Sequence, residues 1–438
     1  MATINLSKLP AAIPGFPDYK PEQQTTFYTW LSQLETTCKS YGFTSLTTPL
    51  FVRKEFLRAK AGNDTEIYSI SRLSHNPDED DLSTTFGLPF DNTLPLALYI
   101  RDNARNITFP YKRYAISPVF RGENPSPGRF RGFYQCDVDI VGPSLTIEND
   151  IQCLLTLIKG LQNITSEPFT VYLNDLSITK FLLSLYGVKE QNINECLFII
   201  DRLDKEGFDR ITAELLPFTN QNIELIQTLS YKGDISDFVI SSDATDTIAP
   251  ALISLKIIIT TLSTLGITCI KFSPKIVRGL NYYTGVVFET FLDNFNEGSI
   301  MSGGRYDNLV DTLSTRKSTG IMGVGGSIGI SRLFDIFNRN KLLSNNRKTT
   351  TDVIVLYRDI LYNPWIVAES IRDIMSVDIY TGNARNFSKQ LDYANKLGVP
   401  IAVIIMDTSI YCVKNMYTKQ QTEVTTIPEL LDVIKSYR

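Results

Sequence analysis

Residues 114–141 read YAISPVFRGENPSPGRFRGFYQCDVDIV. Tyr114–Phe120 and Phe133–Val141 are rich in β-branched and aromatic side chains, and the NPSPGRFRG between them is built of turn-formers and arginines. This pattern predicts an antiparallel hairpin with a long basic loop. Side chains alternate across a strand, so Gln135, Asp137 and Asp139 share one face while Tyr134, Cys136, Val138 and Ile140 share the other. By itself such a strand is ordinarily half exposed, with a wet outer face. Arg121 and Glu123 end the first strand and Arg129 and Arg131 flank the loop tip. Cations and carboxylates therefore converge on one sheet face, which suits a polyanionic ligand that also carries an amine.

Outward from the hairpin, Phe27, Trp30, Leu31, Leu34, Cys38 and Tyr41 follow the spacing of an amphipathic helix that Gly42 can end, and Thr44–Leu50 reads as a strand. Residues from about 186 to 265 are persistently helical in period and read as a helical insertion. NYYTGVVFETFL returns to strand patterning, and GIMGVGGSIGISRLF reads as a strand that turns into a helix. This gives residues 1–337 as one domain and the polar stretch 338–350 as a linker. Residues 351–438 form a small second domain, where VIVLY, a helix from about Pro364 and PIAVIIM carry the βαβ rhythm of a mostly parallel sheet.

Composition narrows the chemistry. With 438 residues, 43% of them hydrophobic and a net charge of -4, the chain can bury large cores without being basic overall. It contains no run of about 18 uninterrupted apolar residues that would span a bilayer. The first twenty residues lack a targeting pattern, so the expectation is a cytoplasmic protein with no membrane partner. The six cysteines form no C-x-x-C and read as buried thiols. The only histidine is His75, in SRLSHNPDEDD, which excludes two-histidine metal sites of the H-E-x-x-H kind; no metal-ligating residues are expected. Any catalysis must run on Arg, carboxylates and Tyr.

Two further segments carry candidate chemistry. VRGLNYYTGVVFE sets Arg278 just ahead of a strand that begins with Tyr282 and Tyr283. SGGRYDNLV and GIMGVGGSIGISRLF offer glycines that let backbone approach a ligand, then Arg332 a few residues into a helix, where cation and helix dipole both favour phosphate. No G-x-x-x-x-G-K-[ST] occurs, so this is not a Walker loop.

Taken in order, the hairpin and the glycine-rich strand–helix resemble motifs 2 and 3 of class II aminoacyl-tRNA synthetases, and RGLNYYTGVVFE resembles a signature of the histidyl enzymes. YGFTSLTTPLF is similar to motif 1, whose Pro49 implies a homodimer interface, and LPFDNTLPLALY resembles the histidine-binding segment. The resemblance covers essentially the whole chain. It implies an α+β fold: a class II antiparallel sheet flanked by helices, with a helical insertion and a C-terminal α/β anticodon-binding domain. The activity it implies is ATP-dependent activation of L-histidine and transfer to tRNA(His), with Mg²⁺ accompanying ATP.

The same resemblance distributes roles. Arg121 would hold the α-phosphate and the substrate carboxylate oxygen, and Arg278 would sit beside the reacting carboxylate. Glu123 would accept from the adenine amino group, Phe133 would pack on the adenine ring, and Arg129 and Arg332 would grip the outer phosphates. Asp91, Thr93 and Gln135 would bind the α-ammonium group. Asp139 and Tyr283 would address the two imidazole nitrogens, with Tyr282 beside them. Departures from the family pattern are Pro89 and Leu98 for arginines, Asn281 for Asp, and Ser331 for Glu. The competing reading is a non-catalytic paralogue, such as a regulatory subunit of ATP phosphoribosyltransferase, which keeps this fold and loses the ATP arginines.

Overall fold

A computed structural model describes residues 12–61, 66–72, 86–239, 245–278, 283–313, 319–343, 347–383 and 386–437. They form two compact units, one of Met1–Pro17 with Leu31–Phe337 and one of Asp18–Trp30 with Asn338–Arg438.

The hairpin of the first unit is β5 (Tyr111–Phe120) against β6 (Gly132–Gly142), antiparallel and in register from Tyr111↔Val141 to Phe120↔Gly132. It supplies the second and third strands of an eight-stranded sheet. On the far side of β6 lies β11 (Met322–Ile328), followed outward by β10 (Met301–Arg305), β9 (Val286–Leu292), β7 (Phe169–Asp175) and β8 (Ile270–Phe272). All pairs are antiparallel except the two at the edges, where β8 runs parallel to β7 and β1 (Thr44–Ser45) parallel to β5. This is the α+β sheet expected from the sequence. The strand expected over Thr44–Leu50 shrinks to β1: Leu46 N still donates to Tyr114 O at 3.0 Å, but Pro49 has no N–H to offer a ladder and the run leaves the sheet.

One face of the sheet is covered by α4 (Ile147–Ile164) and by Leu31–Ser40, the half of α1 (Pro21–Ser40) that lies in this unit. Cys153, Leu154, Leu157, Ile158 and Leu161 form the inward stripe of α4, and all are at most 2% exposed. Each such side chain contributes about 1.5–3 kcal/mol through burial. Sulfur atoms of Cys38 on α1 and Cys136 on β6 meet at 4.0 Å, and all six cysteines are free, as the sequence suggested. A helix box at Thr146 and Asn149 starts α4.

The glycines of β10 and β11 answer to side chains of neighbouring strands. A β-carbon at Gly303 or Gly326 would strike the Phe288 ring at 2.7 Å, one at Gly323 would overlap Tyr306, and one at Gly325 would overlap Asp139. The room that sequence reading gave to a ligand is thus taken, at these positions, by the protein's own side chains.

Beyond β7 come α5 (Leu176–Leu185), then α6 (Ile193–Ile200), α7 (Leu203–Glu206), α8 (Phe208–Leu215) and α9 (Asn222–Leu229), which bury Ile199, Ile200, Ile211, Leu215, Leu225, Ile226 and Leu229. The helix α10 (Thr245–Thr264) instead packs on α4, α5 and β7. Among the described residues it is one helix long and apolar enough to cross a membrane, by length and composition; its Ile248, Leu255, Ile258 and Leu262 are buried in the fold. Three short strands, β2 (Val52–Arg53), β3 (Ser69–Ile70) and β4 (Phe86–Gly87), form a small sheet beside α2 (Lys54–Ala61) and α3 (Thr93–Asn103). Short α11 (Leu309–Thr312) and then α12 (Ile330–Arg339) complete the unit's helices.

The second unit has a five-stranded sheet, β13 (Val377–Ile379), β12 (Val353–Tyr357), β14 (Ile401–Asp407), β15 (Ile410–Asn415) and β16 (Gln421–Val424) in that order, with α13 (Pro364–Arg372), α14 (Phe387–Leu397) and α15 (Ile427–Lys435). Only β13, β12 and β14 run parallel; β15 and β16 are antiparallel. The expectation of a mostly parallel sheet therefore holds for three strands, and the two-residue turn at Thr408–Ser409 sends the chain back as a hairpin.

Candidate active site

The face of β6 turned away from α4 carries Gln135, Asp137 and Asp139, as the period of two requires. It is not the wet face of a half-exposed strand: Asp137 and Asp139 are each 2% exposed. Register explains what covers them. Arg113 on β5 stands opposite Asp139, which on its other side faces Gly325; Ala115 and Ser327 flank Asp137; Ser117 stands opposite Gln135. Small residues on both neighbours leave space for the acidic side chains.

Arg113 is 1% exposed, and its Nη2 lies 2.8 Å from Asp139 Oδ2 and 3.1 Å from the Asn92 carbonyl oxygen, to which it donates. The Tyr306 hydroxyl donates to Asp139 Oδ1 at 2.6 Å. Asp137 accepts from Asn92 Nδ2 and from the Ser327 hydroxyl, and Ser117 Oγ donates to Asn92 Oδ1 at 2.9 Å. A buried guanidinium balances two buried carboxylates, the condition under which such charges are tolerated. Burial draws Arg113 down, but Asp139 and Asp137 outweigh it and hold it above its ordinary value. Burial raises the Asp137 carboxyl to about 6 against the pull of Arg113. Burial, then the Asp139 charge, pushes the Tyr306 hydroxyl well above its usual range, so it remains a donor.

Asn92 fastens the start of α3 to this face. Asp91, beside it, accepts from Leu94 N at 3.0 Å, and Thr93 opens the helix. Three of the residues expected at an ammonium group, Asp91, Thr93 and Gln135, are thereby held around Asn92 and Ser117. Gln135 Oε1 is buried with no hydrogen-bond partner among the described residues, an acceptor that a ligand ammonium would satisfy.

The loop of the hairpin is closed on itself by Ser126 and Arg129, whose backbones exchange hydrogen bonds of 3.2 and 2.8 Å. Arg332 on α12 reaches it, donating through Nε to Gly128 O at 2.9 Å and through Nη1 to Ser299 O at 2.7 Å, while Asp335 accepts from Gly128 N. Arg121 donates to Phe90 O and lies 5.2 Å from the centroid of Phe133. Arg129 faces Glu123 at 3.8 Å. Burial, then Arg121 and Arg129, lowers Arg332 below the ordinary arginine value. Three guanidinium groups that disfavour one another mark a place for an anion. Ser331, which stands where the family pattern has Glu, accepts from Tyr134 N at 2.9 Å.

Arg278 has φ +65, a left-handed backbone at a residue with a side chain, and pairs with Glu289 on β9 while lying 5.9 Å from the Tyr283 ring centroid. The approach to it is held from below: Asn174 Nδ2 donates to Ile276 O at 2.8 Å, the Thr179 hydroxyl donates to Pro274 O at 2.6 Å, and Lys275 pairs with Asp204. Tyr282 and Asn281 lie outside the described residues, as does His75.

Sequence reading missed Arg113, Asn92, Ser327, Tyr306 and Glu289. The register that sets Arg113 opposite Asp139 is centred on Ser126, off the middle of NPSPGRFRG, so the loop did not announce that pairing.

The family model described as Histidyl-tRNA synthetase matches residues 15–333. The chain is 32% identical to the histidine–tRNA ligase of Clostridium tetani, with 98% of each chain covered. The chain belongs to the histidyl-tRNA synthetase family. A solved histidyl-tRNA synthetase from Nostoc sp. superposes with a TM-score of 0.84 at 30% identity, over 98% of this chain and 100% of that one. An ATP phosphoribosyltransferase regulatory subunit/histidyl-tRNA synthetase from Bacillus halodurans gives 0.69 at 19% identity, covering 87% of this chain and 96% of that one, a likeness of fold alone.

Proposed function

We infer that this family member is a histidine–tRNA ligase, which activates L-histidine with ATP and passes it to tRNA(His). The observation that carries the reading is the three-arginine cluster of Arg121, Arg129 and Arg332 together with a buried face that holds Asp139 and a Gln135 Oε1 with no hydrogen-bond partner among the described residues. A triphosphate suits the first half and an amino acid with an imidazole suits the second.

In this reading Arg121 stabilises charge on the α-phosphate as the histidine carboxylate attacks phosphorus and pyrophosphate leaves, and Arg278 steadies the carboxylate. Arg129 and Arg332 hold the β- and γ-phosphates, and Glu123 and Phe133 receive adenine. ATP would enter as its Mg²⁺ complex, which would neutralise the triphosphate, with Glu289, whose charge reaches Arg332, as the carboxylate that would help to hold the ion. Asp91, Thr93 and Gln135 take the ammonium group, and Asp139, Tyr283 and Tyr282 the imidazole. A ribose hydroxyl of the tRNA then attacks the adenylate carbonyl, the acyl–phosphate bond breaks and AMP leaves, so no protein nucleophile is required.

Exposed Leu50 and Phe51 beside Pro49 support a homodimer through this segment. The second unit takes the anticodon-binding part, and the enzyme works in the cytoplasm. The test is ATP–pyrophosphate exchange by the purified chain with Mg²⁺ and each of the twenty amino acids. Exchange with histidine alone is expected. A folded chain that binds histidine yet exchanges nothing would turn the reading to a regulatory paralogue.

A further inference from the structure

The roles just given leave the most deeply buried charge among the described residues without a task. Arg113 is assigned no substrate contact of its own, yet a single atom of it, Nη2, contacts both Asp139 Oδ2 and the Asn92 carbonyl. The first contact belongs to the imidazole end of the proposed histidine site. The second belongs to the segment Asp91–Thr93 at the ammonium end, which Asn92 further ties to Asp137 and Ser117. Tyr306 fixes the remaining Asp139 oxygen.

We propose that Arg113 is a positioning residue that sets the spacing between the two ends of the histidine site and sets a fixed positive charge beside Asp139; this rests on the histidine reading above. A planar guanidinium does both because its donors diverge at fixed angles, which an ammonium cannot imitate. Asp139 is faced by Arg113 and, behind it, Tyr111 from β5, by Asp137 on its own strand, by Tyr306 after β10 and by Cys153 from α4. Burial first of all holds the Cys153 thiol and the Tyr306 hydroxyl well above their usual ranges, and Asp137 titrates at about 6. A range of about pH 7 to pH 8.5 lies above the value to which Asp137 is raised and below those of Cys153 and Tyr306.

The experiment measures KM for histidine and for ATP by pyrophosphate exchange, across that pH range, in the full chain and in Arg113→Leu and Arg113→Lys. Wild-type exchange with histidine is the entry condition, and its failure would sink the histidine reading rather than this one. In Arg113→Leu the histidine KM should rise about tenfold or more at pH 7 with the ATP KM within about twofold, because a buried carboxylate that has lost its cation takes up a proton. Raising the pH should restore much of it. Arg113→Lys keeps the charge, folds where the leucine variant fails, and should show a selective rise of about threefold that does not vary with pH. A histidine KM that stays at the wild-type value in either folded variant, or that rises in step with the ATP KM at every pH, overturns the proposal.

Discussion

Asp139 on β6 and Gly325 on β11 are register partners, and the carboxylate lies across the glycine where any β-carbon would overlap its Oδ1. Gly325→Ala must therefore displace either the strand or the acid. Such overpacking typically costs about 1–3 kcal/mol. Displacing the acid also spoils the imidazole end, so the expected outcome is a lowered denaturation midpoint together with a raised histidine KM. A midpoint and KM at wild-type values would show that the two strands part freely here.

Arg332 makes two directed contacts, to Gly128 O and Ser299 O, in a position repelled by two other arginines. Lysine can hold the charge but not the fork. Losing one charge-assisted hydrogen bond corresponds to about a tenfold rise in the ATP KM for Arg332→Lys, with the histidine KM little changed. Exchange kinetics in both substrates check it, and an unaltered ATP KM would remove Arg332 from the phosphate site.

Asp137 titrates at about 6 in the folded protein against an ordinary 3.8. Because the folded state holds this proton more tightly than the unfolded chain, stability falls as pH rises from about 4 through 6 and stays at the lower level above. The size is about 2–3 kcal/mol for a fully buried group. Asp137→Asn should remove this pH dependence, so its stability relative to wild type, followed by urea denaturation, should improve between pH 4.5 and pH 7. A constant difference across that window would contradict the assignment.

Arg278 holds a left-handed backbone that costs a residue with a side chain about 1–2 kcal/mol. Arg278→Gly relieves that strain while removing the ion pair with Glu289. We expect exchange to fall by about 10²–10³ and the thermal midpoint not to fall. A large loss of midpoint would mean that the arginine serves the fold rather than the reaction.

How much of this was legible in the sequence follows from which forces are local. The shared face of Gln135, Asp137 and Asp139 was legible because alternation is a property of the strand alone. Its burial was not, because the cover comes from Asn92, Tyr306 and Ser327, distant in the chain and brought together only by the sheet. Arg113 looked like one cation in a β-rich run until register set it against Asp139. The glycines of β11 were recognised as space, but what fills it is Asp139, Tyr306 and Phe288. In the second unit a two-residue turn, with neither Gly nor Pro to announce it, hid the β14–β15 hairpin.

The order of strands also fixes an order of events during synthesis. The free edge of β6 finds its partner β11 only after residues 322–328 have emerged, 180 residues after Gly142. At about 5–20 residues per second that edge waits roughly ten to forty seconds on the ribosome. Through that interval Asp137 lacks Ser327 and Asp139 lacks Tyr306. The half-built sheet should then be open to a folding helper or to protease, and nascent chains stalled before and after residue 328 would differ sharply in resistance to cleavage.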